Sequence, residues 1–506
     1  METIIRIPDE VTVLDTDEAV VAGAVVSFIP ANDRLEMYLE APTGRPAAVR
    51  MRWYTVTEEP VSVLGDDWER TYGHAAWRNV EGERDMPWFF FVHHPASDTT
   101  WGHGVAVQPG ALISFRMDTA GISMYCDVRS GSDGIDLNGR KLHIGTLVSK
   151  KYEKMTAFSA CRAFCRELSP APLLPREPVY GGNNWYYAYG NSTRASILSD
   201  AALQSRLAGD LANRPFMVID DGWTVNRCAG PWISNEKHGD MKTLAAEMKN
   251  AGVRPGIWLR YMRTKEEGRF DSDAFLRPEI LDITHPAVRD YIREVTRTLV
   301  LENGFQLLKH DFSFNDTFNA WGHEVTYTPT SHEVRFHDGS KTTAEIITDF
   351  YRLILDATEG RAYILGCNCI NHLGAGLFHL NRSGDDTSGR CWAPTRKMGV
   401  NSLAFRLMMN KSFCMIDADC VGMMKGRISW AQNREWATLL ARSGSPLFIS
   451  CADGTMSAAE EEEMAALYRF AALQQDETEP VDWLWNNTPN RWLINGEERR
   501  FNWYIE

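Results

Sequence analysis

The spacing of apolar and polar positions changes near residue 178, and this change divides the chain into parts with different predicted structures. Before it, short stretches such as Leu35–Glu40 alternate apolar and polar side chains, which is the period of a strand with one buried face. Turn clusters such as Ser130–Gly134 separate these stretches. A helix over residues 157–168 and a proline cluster follow, so residues 1–172 are predicted to form an N-terminal antiparallel β-sandwich domain.

Beyond residue 178, short apolar strands alternate with helices, among them predicted helices over residues 199–213 and 286–302. The predicted strands are Val179–Tyr186, Pro215–Ile219, Arg254–Leu259, Phe305–Leu308, Ala362–Cys367, Leu380–Ser383, Phe413–Ile416 and Pro446–Ile449. Eight strands alternating with helices indicate an α/β fold of the (β/α)8 TIM barrel type, which we place at residues 173–452. The competing fold, a doubly wound open sheet, needs a Gly-rich phosphate turn after its first strand, and Gly181–Asn184 lacks that pattern.

The last part of the chain, residues 453–506, is predicted to be a short tail. A helix is expected over residues 457–474, with its acidic residues in the first turn, where the helix dipole favours them. Asn495–Gly496 then marks a β-hairpin, because this dipeptide suits a two-residue turn between strands.

Composition and charge exclude several classes of function. The net charge of -14 disfavours nucleic acid as a partner, because phosphate binding needs clustered Lys and Arg. No apolar run is long enough to span a membrane, and the polar residues of Met1–Glu10 predict no signal peptide. The ten cysteines lack zinc-like spacing, so we expect reduced thiols, a cytoplasmic protein, and neither a metal nor a cofactor. A homo-oligomer is left open.

Acidic residues end three of the predicted barrel strands. Lys309-His310-Asp311 follows the fourth strand, Asp220-Asp221 the second and Asp417-Ala418-Asp419 the seventh. The carboxyl ends of parallel strands meet on the face where barrel enzymes carry their active sites. A single Lys–Asp pair would be better explained as a structural ion pair, but three acid-tipped strands favour a shared site.

The fifth and sixth strands add Cys367-Asn368 and the segment Arg382–Asp386. Two adjacent carboxylates such as Asp385 and Asp386 repel each other, which raises the pKa of one of them. Asp311, flanked by Lys309, is expected to stay ionised. An anion that faces an acid of raised pKa is the arrangement for retaining cleavage of a glycoside.

The ordered set of these motifs resembles the α-galactosidase clan. The motifs are Asp220–Trp223, Lys309–Asp311, Arg382–Asp386 and Asp417–Cys420. The resemblance is greatest to glycoside hydrolase family 36, with kinship to families 27 and 31, and it covers most of the chain because the N-terminal β region and Gly65–Arg70 also look like family 36. It implies a retaining, exo-acting hydrolase of terminal α-galactosides that works through a covalent glycosyl-aspartate.

The resemblance also implies roles for single residues. Asp311 is the implied nucleophile and Asp385 the implied acid/base, with Asp386 as the alternative acid. The implied substrate-binding residues are Trp185 on the sugar face, Asp220 and Asp221 at O4 and O6, Lys309 at O3 and O4, Arg382 and Asp419 on the O2 side, and Trp258, Cys367 and Asp386 around them. Two departures from the family are His310, where tryptophan is common, and Asn368–Asn371, where a Gly-Gly-Gly stretch is usual.

Several alternatives stay open at this point. A transglycosylase of raffinose-synthase type would use the same carboxylates with a sugar acceptor, and a catalytically silent carbohydrate-binding protein would keep the lining of the site. In a purely structural alternative, Asp220 and Asp221 do not bind substrate but cap the following helix or pair with Arg260. Trp68 is either a packing residue or a lid over the substrate. The long loop Trp321–Thr343 is expected to shape the aglycone side, with His323, His332 and His337 as solvated residues.

Overall fold

The computed structural model describes residues 3–56, 60–330, 334–475 and 477–505. Its N-terminal region consists of strands up to a first helix. These strands are β1 (Glu10–Leu14), β2 (Val25–Ala31), β3 (Arg34–Glu40), β4 (Ala48–Tyr54), β5 (Ser62–Gly65), β6 (Met86–Pro87), β7 (Phe89–His94), β8 (Thr99–Val105), β9 (Leu112–Asp118), β10 (Gly121–Asp127) and β11 (Leu142–Tyr152). The helix that follows is α1 (Ala157–Leu168), whose N-cap Thr156 accepts the N–H of Ser159.

Two antiparallel sheets contain these strands, in the orders β1-β4-β10-β9-β6 and β2-β3-β11-β8-β7-β5. The period-two pattern is reproduced in β3, where Leu35, Met37 and Leu39 are buried and the residues between them are partly exposed. The prediction of antiparallel strands is therefore confirmed. The packing of the two sheets as a sandwich stays a prediction.

The rest of the chain alternates strands with helices. The strands are β12 (Tyr180–Asn183), β13 (Phe216–Ile219), β14 (Arg254–Leu259), β15 (Phe275–Arg277), β16 (Ile280–Leu281), β17 (Leu307–His310), β18 (Tyr363–Gly366), β19 (Leu380–Arg382), β20 (Met415–Asp417), β21 (Cys420–Met423), β22 (Leu447–Cys451), β23 (Glu479–Pro480), β24 (Arg491–Ile494) and β25 (Glu497–Arg500). The helices are α2 (Trp185–Ala188), α3 (Arg194–Ala208), α4 (Met241–Asn250), α5 (Pro286–Arg297), α6 (Ser313–Phe318), α7 (Thr343–Ala357), α8 (Asn371–Gly374), α9 (Trp392–Pro394), α10 (Ser402–Arg406), α11 (Trp430–Ser443) and α12 (Ala458–Ala471). Short 3-10 turns cover Ser272–Ala274 and Leu407–Met409, and π-helical turns cover Thr298–Glu302 and Thr395–Asn401.

Nine of these strands form one parallel sheet, in the order β20-β19-β18-β17-β14-β13-β12-β22-β21. Its two ends, β20 and β21, are successive halves of one strand path that is broken at Ala418 and Asp419, where Asp419 has φ 72. β20 pairs with β19 and β21 pairs with β22, so this one broken strand path forms both edges of the sheet. This curled parallel sheet is that of a TIM-like barrel, and it places the carboxyl ends of its strands on one face.

Some helix boundaries differ from the predicted ones because capping residues determine where the helices begin and end. The helix predicted at residues 199–213 is α3, which begins at Arg194 because Thr193 and Ser196 cap each other reciprocally. It ends at Ala208 before Gly209, whose φ is 55. Near the C-terminus, β24 and β25 are joined at Asn495 and Gly496, both with positive φ, as a two-residue hairpin requires. None of the helices in the described ranges has the length and apolar character to cross a bilayer.

Candidate active site

A cleft of about 490 Å³ opens at the carboxyl ends of the barrel strands. It brings together every predicted site residue except Arg382 and Asp419. The predicted residues that line it are Trp185, Asp220, Asp221, Trp258, Lys309, Asp311, Cys367, Asp385 and Asp386. Trp321 and His323, from the loop expected to shape the aglycone side, also line it. The residues that line it without having been predicted as site residues are Arg70, Tyr72, Cys228, Arg260, Phe312 and Asn368.

Asp311 follows β17, and its carboxylate accepts only N–H donors among the described residues. Oδ2 accepts the indole Nε1 of Trp258 at 2.9 Å. Oδ1 accepts the backbone N–H of Phe312 at 2.8 Å and the side-chain amide of Asn368. An ionised carboxylate is purely an acceptor, so this set of partners suits an anion that is held in one orientation.

Lys309 and Asp220 form a buried ion pair in the wall of the cleft. The Nζ of Lys309 lies 2.7 Å from Oδ2 of Asp220, which also accepts the amide of Asn183 at 2.7 Å. Burial acts to lower the pKa of Lys309, but the charge of Asp220 and its other acidic neighbours raises that pKa well above its usual value. The ion pair therefore favours the charged form of the lysine beside the cleft.

Asp220 and Asp221 neither cap the following helix nor pair with Arg260. Arg260 forms its ion pair with Asp316, with Nε at 2.9 Å from Oδ2. The helix that follows the two aspartates, α4, is capped by Asp240. The two carboxylates are therefore committed neither to Arg260 nor to a helix cap.

Asp221 keeps an unused acceptor at the cleft. Its Oδ1 is buried and has no hydrogen-bond partner among the described residues, and Oδ2 lies 4.0 Å from Arg227. Burial, followed by the charge of Asp220, raises the pKa of Asp221 to about 6. A buried acceptor without a hydrogen-bond partner lowers the stability of the fold, so Asp221 is held in the wall of the cleft at a cost.

Arg382 and Asp419 lie behind the wall of the cleft, although the resemblance implied contacts with the sugar. Arg382 is 2% exposed, and its Nη2 lies 2.9 Å from Oδ2 of Asp419. That oxygen also accepts the N–H of Thr387 at 2.9 Å and the hydroxyl of Tyr186. The left-handed conformation of Asp419 places it in this buried network. Arg382 reaches the cleft indirectly, through Asp386 at 3.3 Å.

The adjacent carboxylates Asp385 and Asp386 have different neighbours. Desolvation acts to raise the pKa of Asp386, but Arg382, Arg70 and Lys309 outweigh it and hold that pKa below its usual value. A carboxyl group of lowered pKa is a poor proton donor. Asp385 Oδ1 lies 3.0 Å from Nη2 of Arg70, outside the immediate reach of Arg382. The two carboxylates therefore pair with different arginines, Asp385 with Arg70 and Asp386 with Arg382.

The partner of Asp385 comes from the N-terminal region. The segment before β6 runs beside the sixth barrel strand: the N–H of Thr71 donates to Ser383 at 2.9 Å, and the N–H of Asp385 donates to Thr71 at 3.1 Å. The guanidinium of Arg70 also lies 5.3 Å from the ring centre of Trp321. Sequence reasoning singled out this segment, but it singled out Trp68 rather than Arg70.

Trp68 is a packing residue and not a lid. It is 2% exposed, lies edge-on to Trp88 at 5.0 Å, and does not line the cleft. Its indole N–H donates to the backbone carbonyl of Thr326 at 3.0 Å. Trp68 thereby holds the long loop whose residues Trp321 and His323 line the cleft.

His310 at the end of β17 and Cys367 just after β18 are both buried, but only Cys367 lines the cleft. The ring of His310 lies among aromatic rings, including Tyr261 and Phe350 at 5.4 Å, and burial lowers its pKa to about 3. It faces the packed core rather than the cleft. Burial, with the nearby charge of Asp311, raises the pKa of the Cys367 thiol well above its usual value, so this lining residue stays protonated.

One histidine of the long loop lies in a group that resembles a metal site. Donor atoms of Asp273, His285 and His337 lie within 4.8 Å of one another. However, Nδ1 of His285 accepts the N–H of Ala287 as the N-cap of α5, so this nitrogen is already engaged within the fold. Its Nε2 lies 3.9 Å from Oδ1 of Asp273. His332 lies outside the described residues.

Comparison with known proteins found similarity at the level of structure. No family profile and no curated relative matches the sequence. The α-galactosidase of Thermus thermophilus, solved with p-nitrophenyl α-D-galactopyranoside, matches with a TM-score of 0.65 and 17% identity over 97% of this chain and 99% of that one. A glycoside hydrolase family 36 α-galactosidase from Geobacillus stearothermophilus matches with a TM-score of 0.65 and 13% identity over 96% and 79%. The resemblance to family 36 is thus confirmed as a likeness of fold.

Proposed function

We propose that this protein is a retaining, exo-acting glycoside hydrolase that cleaves terminal α-galactosides by double displacement. The observation that carries the proposal is the pairing of two carboxylates in one cleft. Asp311 is held by N–H donors, and Asp385 lies in the same cleft beside Arg70. The likeness of fold to family 36 α-galactosidases supports the same class of substrate.

In the proposed first step, Asp311 attacks the anomeric carbon while Asp385 protonates the departing oxygen. In the second step, Asp385 removes a proton from water, which attacks the anomeric carbon and releases Asp311. The two inversions return the starting configuration. Retaining enzymes hold their carboxyl groups about 5–5.5 Å apart, and we expect that spacing for Asp311 and Asp385 in a sugar complex.

The preference for galactose follows from the Asp220–Asp221 pair. In a galactoside, the axial O4 and the O6 lie on the same side of the ring, where two neighbouring acceptors bind both hydroxyls. In a glucoside O4 is equatorial, which leaves the buried Oδ1 of Asp221 without a partner. Sites built for a hydroxyl reject analogues that lack it by as much as ~10⁴-fold.

The test compares matched nitrophenyl α-galactoside and α-glucoside, each with and without a sugar acceptor. We expect cleavage of the galactoside only, with water as the main acceptor and the α-anomer as the first product by NMR. Equal cleavage of both sugars would contradict the assigned role of Asp220 and Asp221. A β-anomer as first product would indicate inversion, and dominant transfer to the acceptor would favour the transglycosylase.

A further inference from the structure

One contact of the Asp311 carboxylate comes from Asn368, the residue after Cys367. The side-chain Nδ2 of Asn368 donates to Oδ1 of Asp311, which also accepts the N–H of Phe312 at 2.8 Å. Within the described ranges, Oδ2 has a single donor, Trp258 at 2.9 Å. The opposite orientation of the Asn368 amide would set its oxygen against the carboxylate, so donation is the orientation that the chemistry selects.

The backbone holds this contact in place. Asn368 has φ 52, a left-handed conformation that asparagine tolerates better than most residues. Its carbonyl accepts the N–H of Phe314 at 2.9 Å, and the N–H of Phe312 donates to Cys367 at 3.2 Å. The side chain is itself buried, at 4% exposure. Donor and acceptor therefore lie on two segments joined by main-chain hydrogen bonds, which is the condition for a preorganised site.

We propose that Asn368 is a positioning residue that stabilises Asp311 as the leaving group of the second step; the inference rests on the proposed function. In the first step, an electron pair of Oδ2 forms the bond to the anomeric carbon, the bond to the aglycone oxygen breaks, and that oxygen takes the proton of Asp385. In the second step, water bonds to the anomeric carbon, its proton goes to Asp385, and the electron pair of the ester bond returns to Asp311. The returning charge is shared with Oδ1, where Asn368 and Phe312 donate.

The two steps use this donor differently. Before the first step Asp311 is already an anion, so loss of the donor raises the energy of the starting state at least as much as that of the transition state. In the ester the charge is absent, and it develops only as the second transition state forms. The donor is then stronger in the transition state than in the ground state, which is the condition for catalysis. Loss of Asn368 should therefore slow the second step selectively.

The variant N368G tests this role, because glycine adopts φ 52 without strain and removes the donor. On nitrophenyl α-galactoside we expect kcat to fall about 100-fold, at the lower end of the range for removal of one preorganised donor. KM should fall in parallel, because the ester accumulates, and kcat/KM should stay within about threefold of the wild type. Intact-protein mass spectrometry of the quenched reaction should show protein heavier by one hexosyl residue.

The matched control is N319G. Asn319 also has a left-handed conformation, with φ 53, but it is exposed at the end of α6 and does not line the cleft. It should retain the kcat and KM of the wild type. If N368G does not fold, N368S repeats the test with a side chain too short to reach Asp311.

Two results would overturn the proposal. A kcat equal to that of the wild type would mean that the amide has no role. A raised KM and a lowered kcat/KM, without any ester, would mean that the substitution merely displaces Asp311. Failure of the proposed function looks different, because the wild-type protein itself would then turn over no nitrophenyl α-glycoside, which would overturn both.

Discussion

At the scale of single residues, the neighbours of each carboxylate separate their roles. Asp311 accepts only N–H donors among the described residues, and Asp386 has its pKa lowered by Arg382 and other cations against the effect of desolvation. Asp221 keeps a buried oxygen without a partner in the described part of the chain. Residue type alone is the same in all three positions, so the chemistry is set by what surrounds each group.

The two proposed catalytic carboxylates should differ in their kinetics. D311A should lose turnover on every leaving group, because no covalent intermediate can form. D385A should still form the ester from activated aryl substrates, which need little protonation, and then stall until azide replaces water. Steady-state assays with and without azide check both expectations. Azide rescue of D386A instead of D385A would move the acid role by one residue.

The ionised carboxylate of Asp221 should lower the free energy of unfolding, by an amount that depends on pH. Its pKa is raised from 3.8 to about 6 by burial and by Asp220, so between these values the folded state binds more protons than the unfolded state. Stability is therefore lost as pH rises through this window. D221N should be more stable than the wild type at pH 7.5 by about 1 to 3 kcal/mol, while its activity falls.

Urea unfolding of D221N and wild type at several pH values measures this difference. The stability gain should shrink as the pH falls towards 4 and vanish near pH 3, where Asp221 is protonated in the folded state and largely in the unfolded state. A stability gain of the same size at pH 7.5 and at acidic pH would point to packing rather than to ionisation.

At the scale of elements, the segment from Gly65 to Tyr72 places Arg70 beside Asp385. Its anchor is Arg406 in α10, which is 2% exposed and donates to Oδ1 of Asp66 at 2.9 and 2.7 Å. Arg406 also donates to the backbone carbonyls of Glu69 and Asp67. A barrel helix thus determines where an N-terminal segment meets the site.

Removal of this anchor should destabilise the fold. R406M leaves Asp66 buried without its partner, and burial already raises the pKa of Asp66 to about 6 even beside Arg406. Breaking a buried pair costs about 3–5 kcal/mol, which denaturant unfolding should detect together with a lower kcat/KM. The control R434M removes an exposed pair with Glu463 at 3.5 Å and should cost less than ~1 kcal/mol. An unaffected R406M would show that Arg406 is not the anchor.

At the scale of the whole molecule, the N-terminal sheets and the barrel share an interface. The ring of Trp88 stacks on His372 at 4.9 Å, and the amide of Gln108 donates to the carbonyl of Ala375 at 2.6 Å. His372 also bonds the carbonyl of Val105 at 2.9 Å. The boundary proposed at residue 172 therefore separates parts that pack closely, and it stays a prediction, as does the boundary at residue 452.

This interface should make the two parts unfold together. Scanning calorimetry should show one transition, and W88A should lower its midpoint as a whole, with a loss of about 3–5 kcal/mol for a buried tryptophan. The control W485A changes a tryptophan that is 72% exposed and should leave the midpoint nearly unchanged. Two separate transitions, with only the first shifted by W88A, would show that the parts are independent.

Much of this architecture can be read from local patterns. Alternating strands and helices predict the barrel because each element must bury its own apolar face. Acidic residues at strand ends predict a shared site because parallel strands end on one face, and the structure brings Asp220, Asp311 and Asp385 to one cleft. The start of α3 was missed although its capping signal, Thr193 and Ser196, is local.

Only the tertiary structure decided which residues complete the site. Arg70 lies about 300 positions before Asp385, and no pattern in a polar loop distinguishes it from Trp68. Arg382 and Asp419 lie at strand ends as expected, yet a left-handed turn places Asp419 in the buried network behind the cleft. The contact of Asn368 with Asp311 likewise depends on a backbone angle. Spacing along a strand determines which face and which end of the sheet a residue occupies. The orientation of the polar end of its side chain depends instead on contacts between distant segments.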